Sequence, residues 1–248
     1  MDARDARQVF DQAASTFDSA DFVHAETRDG LLARLEPMTV DAATVIDLGS
    51  ATGASAQLLR RRFPRAAVIA VDISLPMLRR AARRRSWFAR RPAVQADSSQ
   101  LPFANQSVDL VFSNLLLPWV DRREAVFGEV NRVLRADGLF MFSTLGPDSL
   151  AGLRREPFAD MHDVGDELVR AGLRDPVLDV DRLTVNYGDR HSLVRDLAAI
   201  GAGSCLDDAA DNLDIELELV YGHCWGAGQA SGGGEFRIAA GRIGRRNK

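Results

Sequence analysis

Five side chains have the types and spacing to hold a small polar molecule: Asp47, Asp72, Asp97, Ser98 and Asn114. Asp47 sits in VIDLGSATGAS, residues 45–55, where an apolar run meets a carboxylate and then Gly49, Ala51 and Gly53. Small residues at alternate positions let a backbone turn sharply and let a ligand come close to it. Asp72 stands 25 residues after Asp47, and Asp97 a further 25. A carboxylate in such a place accepts from hydroxyl, amine or ammonium groups, whereas Asn114 both donates and accepts. No acid–base pair stands out, so the chemistry legible here is binding and alignment.

Those residues are useful only if the fold brings them together. TVIDLG (44–49), AAVIAVDIS (66–74), AVQAD (93–97), VDLVFSNL (108–115) and LFMFSTL (139–145) read as five short, nearly continuous apolar strands. Between them SAQLLRRRF (55–63), the stretch 75–91 with Pro76 in its first turn, and REAVFGEVNRVLR (123–135) carry helical spacing. Asp137-Gly138 is a turn into the fifth strand. Alternating strands and helices of this kind predict a doubly wound, mainly parallel α/β sheet covered on both faces. Ligands of such sheets sit beyond the carboxyl ends of the strands, where all five polar residues fall.

The flanks read differently. Residues 4–35 are helical and end at Pro37. After Pro147 come a helix over 163–173 ending at Gly172, a strand over 177–187, a helix over 190–201 and a strand over 213–226. EFRIAAGRI is a possible partner for that last strand, across an SGGGE hairpin loop.

The 248 residues suffice for one large domain, with 46% apolar and 27% charged side chains. A net charge of −4 and a pI near 5.6 argue against bulk nucleic-acid binding. Cys205 and Cys224 form no CxxC, and His191 and His223 have no partners at metal spacing, so no metal site is expected. With no 18-residue apolar run and no apolar segment in MDARDARQVFDQAA, the expectation is a cytoplasmic protein with no membrane partner.

Two ligand classes use a glycine turn on such a sheet: dinucleotides and S-adenosylmethionine. A pyrophosphate would be repelled by Asp47, whereas the ammonium of an amino-acid ligand needs such an acceptor. On this reading Gly49 and Gly53 admit the ligand and Asp72 takes both ribose hydroxyls. Asp97 and Ser98 lie at the adenine, Ile73 or Met77 covers its face, and Asn114 reaches the amino-acid end. Phe17 is the candidate lid.

With those residues the chain resembles the class I S-adenosyl-L-methionine-dependent methyltransferases, in VIDLGSATG, VIAVDISLPML, QADSSQLPF, VDLVFSNLLL and VNRVLRADGLFMFST. VFDQAASTFD, FMFSTLGPDSLAGLR, FADMHDVGDELVRAGLRDPVLDVDRLTV, VRDLAAIGA and ELVYGHCWG extend a narrower likeness over nearly the whole chain. They are similar to the malonyl-acyl-carrier-protein O-methyltransferases of biotin synthesis. The resemblance implies a Rossmann-like fold in one domain: an arm over 1–37, a cofactor-binding core over 38–147 and a substrate-side part over 148–248. It also implies methylation of the free carboxylate of a malonyl thioester, delivered by an acyl carrier protein, with an arginine holding that carboxylate. Complex I assembly factors described as arginine hydroxylases share the core and the LTVNY segment and are the alternative, beside a non-catalytic SAM-fold protein and an RNA methyltransferase.

Four departures from the family pattern accompany the likeness. Ser50 and Ala51 stand in the glycine turn, Ala51 where the middle glycine is usual. Phe17 replaces a tyrosine, Pro118 stands where glutamine is frequent, and the segment before Phe158 is about a dozen residues short. Seven arginines between Arg79 and Arg91, with Arg60 to Arg62, read as a solvated helix face, a docking surface for an acidic carrier, or an RNA contact with Trp87 and Phe88. His162 reads as a cap partner of Asp163 or a substrate contact, His24 as packing or cofactor-facing, and Trp119 as core or channel wall.

Overall fold

The computed structural model describes residues 1–83, 92–150, 157–203 and 213–227. Arg84 to Arg91, Cys205, and the SGGGE and EFRIAAGRI segments lie outside the described residues.

Seven strands form one sheet: β1 (Thr44–Leu48), β2 (Ala67–Asp72), β3 (Ala93–Gln95), β4 (Val108–Asn114), β5 (Leu134–Leu145), β6 (Arg174–Asn186) and β7 (Asp214–Trp225). Their order is β3-β2-β1-β4-β5-β7-β6. The first five run parallel, as the alternating pattern predicts. β7 pairs antiparallel with both β5 and β6, so the last described strand lies between two earlier ones. The described α-helices are α1 (Ala3–Ala13), α2 (Phe22–Leu35), α3 (Ala54–Arg62), α4 (Leu75–Arg83), α5 (Arg123–Val133), α6 (Met161–Arg170) and α7 (Arg190–Ala199).

The continuous apolar strands divide by parity into two cores. Val45, Leu110, Phe112, Leu139 and Met141 pack with Leu31, Leu35, Leu59 and Leu78 of α2, α3 and α4. Ile46, Val111, Phe140 and Phe142 pack with Val126, Phe127, Val130 and Val164 of α5 and α6 on the other face. Phe127, Phe140 and Phe142 are wholly buried and form a triangle of rings 5.0–6.3 Å apart. Truncating one to alanine typically costs about 3–5 kcal/mol.

The helical reading of residues 4–35 resolves into two helices parted by a 3₁₀ turn at Phe17–Ser19. Hydroxyls make the break: Ser19 Oγ donates to the Thr16 carbonyl, and Thr16 Oγ1 to those of Ala13 and Ala199. Such bonds compete with the helical ladder. α6 starts two residues earlier than the spacing suggests, because Asp160 rather than Asp163 is its cap. Asp160 Oδ1 accepts from the His162 backbone N–H at 2.8 Å and pairs with His162 Nδ1 at 2.7 Å. Gly172, at φ +86°, closes α6 two residues before the expected end, with the Leu173 N–H reaching the Leu168 carbonyl.

The order β3-β2-β1-β4-β5 reverses direction between β1 and β4. Beyond the carboxyl ends of those strands the chain leaves a crevice, the usual ligand position of a doubly wound sheet. Gly49, Asp72 and Asn114 lie there because each ends or directly follows a strand.

Candidate functional site

A cavity of about 190 Å³ opens at that crevice. Gly49, Asp72, Ile73, Met77, Asp97, Ser98, Asn114 and Phe17 line it, joined by Ala51, Phe10, His24 and Trp119. Asp47 and Gly53 are not in its wall; they stand behind Leu48, Gly49 and Ala51, which are.

The glycine turn is held from two sides. Gly49 and Ser50 N–H groups both donate to the Val71 carbonyl at 2.9 and 3.0 Å, and Gly53 N–H donates to that of Ser50. Gly49, Ala51 and Gly53 have φ of +75°, +44° and +82°. An alanine in the left-handed region costs on the order of 1–2 kcal/mol. Ala51 is kept there by its N–H, which donates to Asp72 Oδ2 at 2.8 Å.

Asp72 also accepts the Ser74 N–H on Oδ1 at 2.8 Å. Burial pushes its carboxyl up to about 6, against the pull of the Ser74 and Ala51 N–H groups, and Asp11 pushes the same way. Asp47 is pushed up to about 7 by burial; the Ala56 N–H at the start of α3 opposes this, and the Asp72 charge adds to it. Asp47 Oδ2 has no hydrogen-bond partner. Both acids hold protons in the folded chain at pH values where the unfolded chain has lost them. Their contribution to stability is therefore full below about pH 4 and is lost as the pH rises through 6 to 7.

The other polar residues are tied to the protein. Asp97 Oδ1 accepts from the Ser99 N–H and hydroxyl at 2.8 and 2.9 Å. Asn114 Nδ2 donates to the His24 carbonyl at 2.9 Å, and its Oδ1 accepts from Ser143 Oγ at 2.9 Å. Phe17 is 4% exposed and packs on Ala13, Ala14 and the wholly buried Met77. The arm carrying Phe17 is latched to the turn: Thr52 Oγ1 donates to Asp18 at 2.5 Å, and Ser74 Oγ to Asp11 at 2.6 Å.

The sequence reading passed over Arg28. Its Nε is buried without a hydrogen-bond partner, as are His24 Nδ1 and Ser50 Oγ. The guanidinium makes only long contacts, 3.8 Å to Asp21 and 4.0 Å to Asp29. It acts on both Asp47 and His24, whose imidazole is pushed down to about 4 by burial and by this charge. The available signal is the i, i+4 spacing of His24 and Arg28 on one helix.

A second cavity, of about 90 Å³, adjoins the first and shares His24, Leu115 and Trp119 with it. Its walls are mostly apolar, from α7, β6, β7 and Pro118, with Asp196 the one carboxylate. Of the arginines, only the exposed Arg122 lines the first cavity, and none lines the second among the described residues. His162, His191 and His223 line neither. Trp119 is channel wall, with Phe10 edge-on at 5.1 Å. Among the described residues no group of three or more His, Cys, Asp or Glu side chains could hold a metal, and no helix is long and apolar enough to cross a membrane.

A family described as Methyltransferase domain matches residues 46–142, which run from β1 through β5. Malonyl-acyl-carrier-protein O-methyltransferase of Laribacter hongkongensis is 41% identical over 88% of this chain and 88% of its own length. The enzyme of that name from Halorhodospira halophila is 36% identical over 100% of this chain and 97% of its own. This chain belongs to the malonyl-acyl-carrier-protein O-methyltransferase family. As a member it is a methyltransferase that uses S-adenosyl-L-methionine, and the relatives' names favour that reading over the hydroxylase and scaffold alternatives.

Solved structures agree on the fold of this O-methyltransferase family member. Haemonchus contortus phosphoethanolamine N-methyltransferase 2, in complex with S-adenosyl-L-methionine, superposes with a TM-score of 0.63 at 16% identity, over 89% of this chain and 60% of that one. A methyltransferase structure from Bacillus halodurans gives 0.63 at 14% identity, over 81% and 98%. The donor set suits the cofactor. Outside the cavity wall itself, Asp47 Oδ2 and Arg28 Nε are buried without hydrogen-bond partners, group types that pair with the ammonium and carboxylate of an amino acid.

Proposed function

We propose that this methyltransferase esterifies the free carboxylate of a malonyl thioester carried by an acyl carrier protein, the step the family performs in biotin synthesis. What carries the reading is the match to a relative of that name across the entire chain. Residues 1–37 act as the lid, 38–147 hold the cofactor and 148–248 form the acceptor side.

In this reading Asp47 and Arg28 serve the amino-acid end of the cofactor, Asp47 by its charge from behind Gly49. Gly49 and Gly53 give the turn its shape. Asp72 accepts from the ribose, Asp97 and Ser98 face the adenine amino group, and Ile73, Met77 and Phe17 supply apolar cover. Asn114 contributes by fixing α2 to the strand ends. The cofactor supplies a methyl group already activated on a sulfonium. A carboxylate acceptor is ionised at neutral pH, so the chain needs no general base. Its work is to align the acceptor and exclude water, with Phe10, Phe17 and Trp119 on the walls.

Exposed Arg61 and Arg62 at the end of α3, Arg65 just after it, and Arg79 and Arg83 on α4 share one face of the sheet and suit an acidic carrier. No nucleic-acid partner is part of this reading. The test is to incubate the protein with S-adenosyl-L-methionine and malonyl-acyl carrier protein and to weigh the product. One added methyl ester is expected; an unchanged carrier, from protein that binds S-adenosylhomocysteine, overturns the reading.

A pH dependence follows. The cationic cofactor end favours ionised Asp47 and Asp72, which hold protons up to about 7 and about 6 in the free chain. Affinity for S-adenosylhomocysteine is therefore expected to rise as the pH goes from 5.5 to 8, with proton release on binding. Calorimetry in buffers of different ionisation enthalpy reads both. A flat profile in wild type, or an unaltered slope in Asp47→Asn, speaks against the assignment.

A further inference from the structure

His24 is the one ionisable side chain at the junction of the two cavities, which it shares with Leu115 and Trp119. We propose that His24, as a neutral imidazole, holds the non-attacking oxygen of the acceptor carboxylate by donating its Nε2–H, and so aims the other oxygen into the cofactor cavity. The proposal rests on the reading above that the acceptor is a carboxylate.

Three observations support it. First, the residue's main chain is held both from within its own helix and from outside it. Its carbonyl accepts from Asn114 Nδ2 at 2.9 Å and from Thr27 Oγ1 at 3.2 Å, and Asn114 is in turn held by Ser143. Its ring stands edge-on to Phe17, with centroids 4.9 Å apart. A residue whose main chain is tied to the ends of β4 and β5 and whose ring rests on Phe17 is preorganised toward the cavity.

Second, the ring is held neutral. Nδ1 is buried and has no partner. Arg28, one turn further along α2, places a positive charge that acts on the ring. In the proposed tautomer Nδ1 keeps its lone pair and the proton sits on Nε2, the nitrogen that meets the acceptor. Burial and the same charge keep the ring from taking a second proton at neutral pH.

Third, the described walls suit this placement. Neither Arg nor Lys lines the second cavity among the described residues, and Asp196 on its wall repels an anion. The charged end of the acceptor therefore belongs at the junction, and the uncharged thioester side against the apolar walls. A guanidinium at the junction would engage both carboxylate oxygens and would repel the sulfonium. A single neutral N–H leaves one oxygen free, and the sulfonium itself complements the carboxylate charge.

The experiment compares wild type, His24→Gln and His24→Phe with a malonyl thioester as acceptor at saturating cofactor. S-adenosylhomocysteine affinity and melting temperature serve as controls. His24→Phe is expected to lower kcat/KM by about 10- to 100-fold, the scale of one hydrogen bond to a charged group. Much of the loss falls in KM for the acceptor, and S-adenosylhomocysteine affinity stays within about threefold. His24→Gln, which keeps a donor, recovers most of it. Equal kcat/KM in His24→Phe and wild type overturns the proposal, as does a loss that His24→Gln fails to recover while cofactor affinity and melting hold. If wild type itself makes no ester, the carboxylate reading fails and His24 falls with it; if wild type is active and His24→Phe equals it, only the His24 role is lost.

Discussion

Replacing Gly53 by valine should lower the melting temperature by about 6–12 °C and weaken S-adenosylhomocysteine at the same time. Gly53 caps α3 at φ +82°, where a β-branched residue is strained by roughly 1–2 kcal/mol. A Cβ there would lie 2.6 Å from Ala81 Cβ and 3.1 Å from its Cα. Relief therefore requires α4 to retreat from the turn, an overpacking that typically costs about 1–3 kcal/mol. A total of about 3 kcal/mol in a domain of this size gives the stated shift at about 2–4 °C per kcal/mol. The same retreat carries away Met77 and Ser74, and Ser74 is where Asp11 of the arm is latched. Gly128→Ala, at an exposed site in α5 with nothing within 4 Å, is the control and should stabilise by about 1 kcal/mol. A Gly53→Val protein melting within 2 °C of wild type sinks the argument.

The parallel half of the sheet is readable from sequence because its information is local. Asp47, Asp72 and Asn114 each end an apolar run, and strands β1 to β5 follow one another with helices between. Such a pattern leaves few topologies, and their strand ends converge. What local pattern cannot convey is who pairs with whom over long distances. The insertion of β7 between β5 and β6 joins residues 139–145 to 219–225, and the second cavity draws its walls from α7, β6 and β7. The hydrogen bonds of Asn114 are equally remote. Its amide serves a carbonyl 90 residues earlier and a hydroxyl 29 later, so a residue of the cavity wall is also a brace between α2 and the strand ends. His24 and Arg28 are hidden for a related reason. On a helix surface they would be ordinary polar residues, and only packing against the strand ends buries Arg28 Nε and His24 Nδ1 without partners.

Asp72→Ala carries the largest expected loss of cofactor binding. One hydrogen bond to a charged group contributes about 1.5–3 kcal/mol, and a ribose offers two hydroxyls. A weakening of roughly 100-fold or more in S-adenosylhomocysteine affinity is therefore expected. Part of that loss comes from the protein itself, because Asp72 is also the acceptor for the Ala51 and Ser74 N–H groups. Without it, Ala51 has nothing holding it at φ +44°, and the turn relaxes. The two contributions are separable with 2′- and 3′-deoxy analogues of S-adenosylhomocysteine in a cycle with the variant. In wild type each missing hydroxyl should cost about tenfold. In Asp72→Ala the same omission should cost nearly nothing, since its partner is already gone. If the variant discriminates between deoxy and complete ligands as wild type does, Asp72 shapes the turn and touches no ribose.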